Sequence, residues 1–207
     1  MNKFDIIRLA NKYVGNMHTY LKENSVGDWS IIYREATEHD CILEKERIKL
    51  NFNFRDYLEL RPNKYTYLCN KDIYMMSDTN TEIFSNLEFL WKAKGDILIG
   101  GLGLGIMPLI LSKMEGVKSV TIIEKEQDVI DLVWKQLRCS RHIDLVRGDV
   151  FTYDTDRKFD VVYMDIWADL NQDTDSEAIV LEEKYKNYLS QNGFILSWEQ
   201  KIPNLGV

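Results

Sequence analysis

The sequence predicts an α/β protein, a mostly parallel sheet of about five strands preceded by a small α+β subdomain. Three observations carry this. From residue 96 onward, short aliphatic runs alternate with segments of helical period. Before residue 95 the chain is instead rich in aromatic and β-branched residues. Between the first aliphatic run and the next helical segment stands a glycine-rich turn, "GGLGLG" at 100–105.

In chain order, Ile6, Leu9, Ala10, Tyr13, Met17 and Tyr20 recur at helical spacing and predict an amphipathic helix. "WSIIY" (29–33), "CILEKERIKLNF" (41–52), "YTYLC" (65–69) and "DIYMM" (72–76) read as strands of a small antiparallel sheet, followed by a helix at about 80–93. The boundary falls near 95, dividing the chain into 1–95 and 96–207. "ILI" at 97–99 is then the first buried strand. Leu109, Ile110 and Met114 fit the helix after it, with Pro108 tolerable in the first turn and Gly116 beyond the end. "SVTII" (119–123), "IDLV" (143–146) and "VVYM" (161–164) continue the sheet, and Val129, Ile130, Val133 and Leu137 predict a helix starting near Gln127. A polar stretch, "IWADLNQDTD", leads to a helix expected around 176–190 with Ile179, Val180 and Leu189 as its apolar residues. Gly193 introduces a fifth strand, "FILSW".

Composition narrows the function classes. The chain of 207 residues is 45% hydrophobic and 12% aromatic, which excludes a disordered polypeptide. A formal charge of −7 argues against an extended basic surface for nucleic acid and leaves only a local patch open. Cys41, Cys69 and Cys139 are odd in number and form no C-x-x-C pair, so they read as reduced thiols with no zinc site. The amino terminus has charges inside its apolar stretch, unlike a secretory signal. The longest uncharged run, Ile97 to Ser112, falls short of the roughly 18–20 residues a membrane span needs. These features predict a cytoplasmic protein with no membrane segment.

The chemistry gathers at strand ends. A glycine turn between strand and helix bares backbone to a ligand, here Gly101, Leu102, Gly103, Leu104 and Gly105. Glu124, next to Lys125, closes the second strand about 20 positions further on, where a nucleotide-binding α/β fold places a ribose-binding acid. Asp149 follows the third strand and can accept from an adenine amine, with Val150 as an apolar neighbour. Asp165 ends the fourth strand, at the edge where ligands of open parallel sheets bind. Taken singly, Glu124 reads as a surface acid and Asp149 as a turn residue; in order along one edge, they read as a site. The glycine spacing is G-x-G-x-G, whereas dinucleotide loops read G-x-G-x-x-G.

With these motifs the sequence resembles the class I S-adenosylmethionine-dependent methyltransferases over about 96–198. The resemblance implies a Rossmann-like core, S-adenosyl-L-methionine as cofactor, the glycines at its methionine part, Glu124 on the ribose and Asp149 on adenine. Ile99 stands where the family usually carries an acid. Within the superfamily, "ILIGGLGLG" and the preceding small β-subdomain look most like the spermidine synthase branch. Two departures set it apart: Leu104 replaces a loop aspartate, and Asp165-Ile-Trp-Ala-Asp169 replaces a D-x-x-D-P type motif. "MSDTNTEIF" at 76–84 also looks like a group of spermidine-synthase-like homologues from bacteria and their phages. Members of this class commonly add a sixth and a seventh strand, and the nine residues after Trp198 are too few for them. The expectation is that the sheet either stops at five strands or has its edge covered by a partner or by the amino-terminal segment, and a homodimer is the partner expected.

Methyl transfer is an in-line displacement, so the tasks are alignment and keeping the acceptor lone pair free. Asp165 is the candidate for holding or deprotonating the acceptor, a small molecule or protein, and Trp167 for an aromatic wall; the competing reading has Asp165 bind only cofactor and Trp167 pack in the core. Asp169, Asp173, Asp175 and Glu177 form an acidic run suited to a basic substrate, and no dedicated metal site is expected. The alternatives are aminopropyl transfer to a polyamine, a non-catalytic binding or dimerisation module, and, last, a dehydrogenase.

Overall fold

The computed structural model describes residues 1–42, 61–139, 142–168 and 172–198. Asn2 caps helix α1 (Lys3–Ala10) through a reciprocal box with Asp5. The chain then turns at Gly15 and passes through a 3₁₀ turn at Met17–Thr19. The expected long first helix is therefore broken: Ile6, Leu9, Ala10, Tyr13 and Met17 are buried as predicted, but Tyr20 is exposed. Strands β1 (Asn24–Val26), β2 (Trp29–Ala36), β3 (Asn63–Asn70) and β4 (Ile73–Ser77) form an antiparallel sheet in that order. The strand expected over 41–52 lies outside the described residues except for Cys41 and Ile42, which are helical.

The helix expected over 80–93 is two, α2 (Asn80–Ser85) and α3 (Leu87–Lys92). Asn86 divides them. Its side-chain amide donates to the Glu82 carbonyl, and its Oδ1 accepts from the Tyr163 hydroxyl at 2.6 Å, so the side chain competes with the helical ladder.

From Gly95 the chain builds a five-strand sheet, parallel throughout: β5 (Gly95–Gly100), β6 (Val117–Glu124), β7 (Ile143–Arg147), β8 (Phe159–Met164) and β9 (Leu189–Ser197). Its order is β7-β6-β5-β8-β9. The chain thus runs outward from β5 on one side and returns to the other, leaving a crevice at the carboxyl ends of β5 and β8. Side chains alternate between two cores. Ile97, Ile99, Val161 and Tyr163 join a cluster with α1, α2, α3, α4 (Ile106–Leu111) and the antiparallel sheet, while Leu98, Val162 and Met164 pack with Leu181 and Tyr185 on the opposite face.

Two helices in this half depart from expectation. The one beginning at Gln127 is α-helical only to Val129 (α5) and takes π form over Ile130–Trp134. The last helix, α6, spans Gln172–Tyr185, earlier than expected, and Leu189 opens β9 instead. Its buried face is Thr174, Ala178, Leu181 and Tyr185, at helical spacing, whereas Ile179 and Val180 are exposed at 66% and 57%. Among the described residues, Cys41, Cys69 and Cys139 form no disulfide. No helix among the described residues is long and apolar enough to cross a membrane.

Candidate functional site

The glycine loop follows β5 because Gly101 and Gly103 occupy backbone that L side chains rarely adopt, at φ +95° and +52°. A Cβ on Gly101 would lie 2.2 Å from the Asp165 carbonyl oxygen, and one on Gly103 would lie 2.2 Å from the Met76 sulfur. Close packing from two sides therefore demands glycine here before any ligand is considered.

Most of the loop amides already have partners. The Gly101 N–H donates to the Ile123 carbonyl at 2.9 Å, and that of Gly105 to the Leu102 carbonyl at 2.9 Å. The Leu102 N–H donates to Glu124 Oε2 at 3.0 Å, and the Leu104 N–H reaches the Met76 Sδ at 3.2 Å. Among the described residues, only the Gly103 N–H of this loop is without an acceptor.

Glu124 is a buried residue rather than a surface acid, 8% exposed at the end of β6. Its Oε1 accepts from the Glu126 N–H at 2.8 Å, so the carboxylate bridges the glycine loop and the turn after its own strand. Burial pushes its carboxyl up, opposed by the hydrogen bonds from Glu126 and Leu102. A carboxylate has about four lone-pair sites, so Glu124 keeps acceptor capacity toward the cavity beyond the backbone N–H groups it already serves. Asp149 Oδ1 accepts from the Phe151 N–H at 2.8 Å, as an aspartate that shapes a turn does. Asp165 is fixed by its N–H, which donates to the Gly100 carbonyl at 2.9 Å. The Trp167 indole N–H donates to Glu177 Oε2 at 2.7 Å, tying the segment after β8 to α6.

One cavity of about 310 Å³ joins these groups. Gly101, Gly103, Glu124, Lys125, Asp149, Val150 and Asp165 all line it, as do Trp167 and Glu177. Leu102, Leu104 and Gly105 do not; the two leucine side chains lie in the core, Leu104 fully buried and Leu102 4% exposed. Sequence reasoning missed the wall supplied by the other sheet: Trp29 from β2, Leu68 from β3, and Met75 and Met76 from β4, with Glu82 of α2 beside them. Apolar and aromatic character marks Trp29, Leu68, Met75 and Met76 as strand residues but does not say what they face, and Met75 and Met76 are consecutive in β4, where alternation sends neighbours to opposite faces. Of the acidic run, Asp169 lies outside the described residues, and Asp175 is exposed and absent from the cavity wall.

No protein-family model matches this chain, and no curated protein does. Parts of solved structures are similar to it. The CcbJ methyltransferase from Streptomyces caelestis is 19% identical at a TM-score of 0.44, over 55% of this chain and 46% of that one. The glycopeptide N-methyltransferase MtfA complexed with S-adenosyl-L-methionine is 18% identical at 0.43, over 55% and 48%. The plantazolicin methyltransferase BpumL in complex with S-adenosylhomocysteine is 23% identical at 0.42, over 55% and 42%. The aligned region spans about half the length of each of these structures.

Proposed function

We propose that the protein binds S-adenosyl-L-methionine at the carboxyl edge of its parallel sheet and transfers the methyl group to an acceptor. The observation that carries this reading is the charge of the cavity. Among the described residues, its wall contains Glu82, Glu124, Glu126, Asp149, Asp165 and Glu177 against one cation, Lys125. A dinucleotide would bring a pyrophosphate anion into that field and would need several loop amides, four of which are already occupied. A nucleoside bearing a sulfonium cation suits both features.

On this reading Gly101 and Gly103 face the methionine part, Glu124 holds the ribose with Lys125 beside it, and Asp149 with Val150 meets the adenine. When bound, the cofactor supplies an electrophilic methyl group on sulfur. Asp165 would orient the acceptor and take its proton on the carboxylate, while the acceptor lone pair would form the new bond to the methyl carbon and the carbon–sulfur pair would leave with the thioether S-adenosylhomocysteine. Trp167, held by Glu177, walls that end of the cavity against water. Division into 1–95 and 96–207, kinship with the spermidine synthase branch, a cytoplasmic location and a homodimer covering the β9 edge belong to the same proposal.

Calorimetric titration tests it. S-adenosylhomocysteine is expected to bind and NAD not to, and Glu124→Ala is expected to weaken binding roughly 10- to 100-fold. NAD binding at comparable affinity, or no binding of S-adenosylhomocysteine, overturns it. Aminopropyl transfer is the second reading, favoured by the same acidic wall, which also suits a polyamine. Mass spectrometry of the product formed from S-adenosylmethionine or from its decarboxylated form separates the two.

A further inference from the structure

The turn that follows β7 is fastened from a distance. Within it, the Asp149 carbonyl accepts from the N–H groups of Thr152 at 3.0 Å and Tyr153 at 2.8 Å, and Asp149 Oδ1 accepts from the Phe151 N–H. The last turn of α6 then grips both remaining carbonyls. The Tyr185 hydroxyl donates to the Val150 carbonyl at 3.0 Å, and the Lys184 ammonium donates to the Phe151 carbonyl at 2.9 Å. Tyr185 is fully buried, so its bond is made out of water, and burial holds its hydroxyl protonated as a donor. Asp149, Val150 and Phe151 all line the cavity, whereas Lys184 and Tyr185 do not.

We infer that Lys184 and Tyr185 are positioning residues for base recognition: they hold the 149–151 turn in the form that tells adenine from a base lacking the exocyclic amine. This rests on the adenosyl reading of the cavity. With Oδ1 committed to the Phe151 N–H, Asp149 meets a base through Oδ2, which makes no hydrogen bond among the described residues, while the Lys184 ammonium is a charged neighbour of the same carboxylate. The direction of that oxygen is set by the turn, and the turn by α6. A hydrogen bond weakens steeply with misalignment, so loosening the grip removes discrimination before it removes the fold. The purine face has a separate wall in Val150, which is 5% exposed, and Phe151.

Two ligands and two variants test this. S-adenosylhomocysteine presents an amine to Asp149, whereas S-inosylhomocysteine presents a carbonyl oxygen that the carboxylate repels. The unaltered chain is expected to prefer the former at least about tenfold. In Tyr185→Phe and in Lys184→Met, affinity for S-adenosylhomocysteine is expected to fall roughly three- to tenfold while that for S-inosylhomocysteine barely changes, narrowing the ratio. An equal loss for both ligands, an unchanged ratio, or equal binding of both by the unaltered chain overturns the positioning role. Failure of the unaltered chain to bind S-adenosylhomocysteine overturns the adenosyl reading and this inference with it. Lys184 is only half-buried, so Lys184→Met decides the matter alone if Tyr185→Phe does not fold.

Discussion

The two sheets hold themselves together differently. In the parallel half, Ile97, Leu98, Ile99, Val120, Ile122, Val161 and Val162 are buried aliphatic residues joined by backbone ladders. Both halves also bury polar side chains, Thr121, Glu124, Thr174 and Ser197 in the parallel half and Thr66, Ser77, Asp78, Asn80 and Asn86 in the amino-terminal half, where they are a larger share of the buried residues. Asp78 is the clearest case: its carboxylate accepts from the Thr66 N–H at 2.7 Å and the Met17 N–H at 2.8 Å, stapling the 3₁₀ turn at Met17–Thr19 to β3. A half built from aliphatic ladders tolerates loss of shape but not charge. A half built from polar staples depends on each partner being present and in the right protonation state.

Leu104 draws the first half of that comparison most sharply. The sequence suggested that its side chain sits near the ligand, whereas in the structure it is fully buried in the apolar cluster. Leu104→Asp places a carboxylate there without a partner, and a loss of more than about 4 kcal/mol is expected, enough to prevent folding. Leu104→Met, close in volume, should cost under about 1.5 kcal/mol. Circular dichroism melts check both; a cooperative melt for the aspartate variant near that of the parent would break the contrast.

Asp78 tests the second half. Burial raises its carboxyl from 3.8 to about 6, although the Thr66 and Met17 N–H groups favour the ionised form. The folded chain therefore binds this proton more tightly than the unfolded chain does. The resulting stabilisation is fully present below about pH 4 and is lost as pH rises through about 6, amounting to roughly 3 kcal/mol across the window. Asp78→Asn should remove that slope and, because one of the two N–H groups then meets an amide NH₂, cost about 1–3 kcal/mol near neutral pH. Urea midpoints for parent and variant from pH 4 to 7 measure it. Parallel pH profiles would mean that Asp78 does not titrate in this range.

The same contrast explains what was legible in the sequence. The central strands β5, β6 and β8 could be read because burial on both faces leaves continuous aliphatic runs, and the grouping of Gly101, Glu124, Asp149 and Asp165 around one cavity because each lies at or just beyond the carboxyl end of a strand. The polar staples announce themselves by no period. Asn86 splits a helix through two side-chain bonds, one to Tyr163 far along the chain, and nothing local encodes that. Met76 reaches the Leu104 N–H only because the antiparallel sheet lies over the glycine loop. The grip of Lys184 and Tyr185 on the 149–151 turn is likewise a tertiary fact.

The smallest expected effect, that of changing Ile179, concerns α6, where both logics meet and the apolar pair Ile179 and Val180 turns outward. Ile179 and Val180 attracted attention as the most apolar pair, but period alone cannot say which arc of a helix with few apolar residues turns inward. The sheet selects Ala178, Leu181 and Tyr185, because Tyr185 brings a hydroxyl to the buried Val150 carbonyl and Leu181 fills the cluster around Leu98 and Val162. Leu181→Ala should therefore cost about 2–5 kcal/mol, and Ile179→Lys should stay within about 0.5 kcal/mol. Denaturant titration at two protein concentrations sharpens the comparison. If Ile179→Lys instead lowers stability by 1 kcal/mol or more, on the order of a lost apolar contact, and does so only at the higher concentration, a second copy covers that face in solution. The exposed pair would then belong to the homodimer surface.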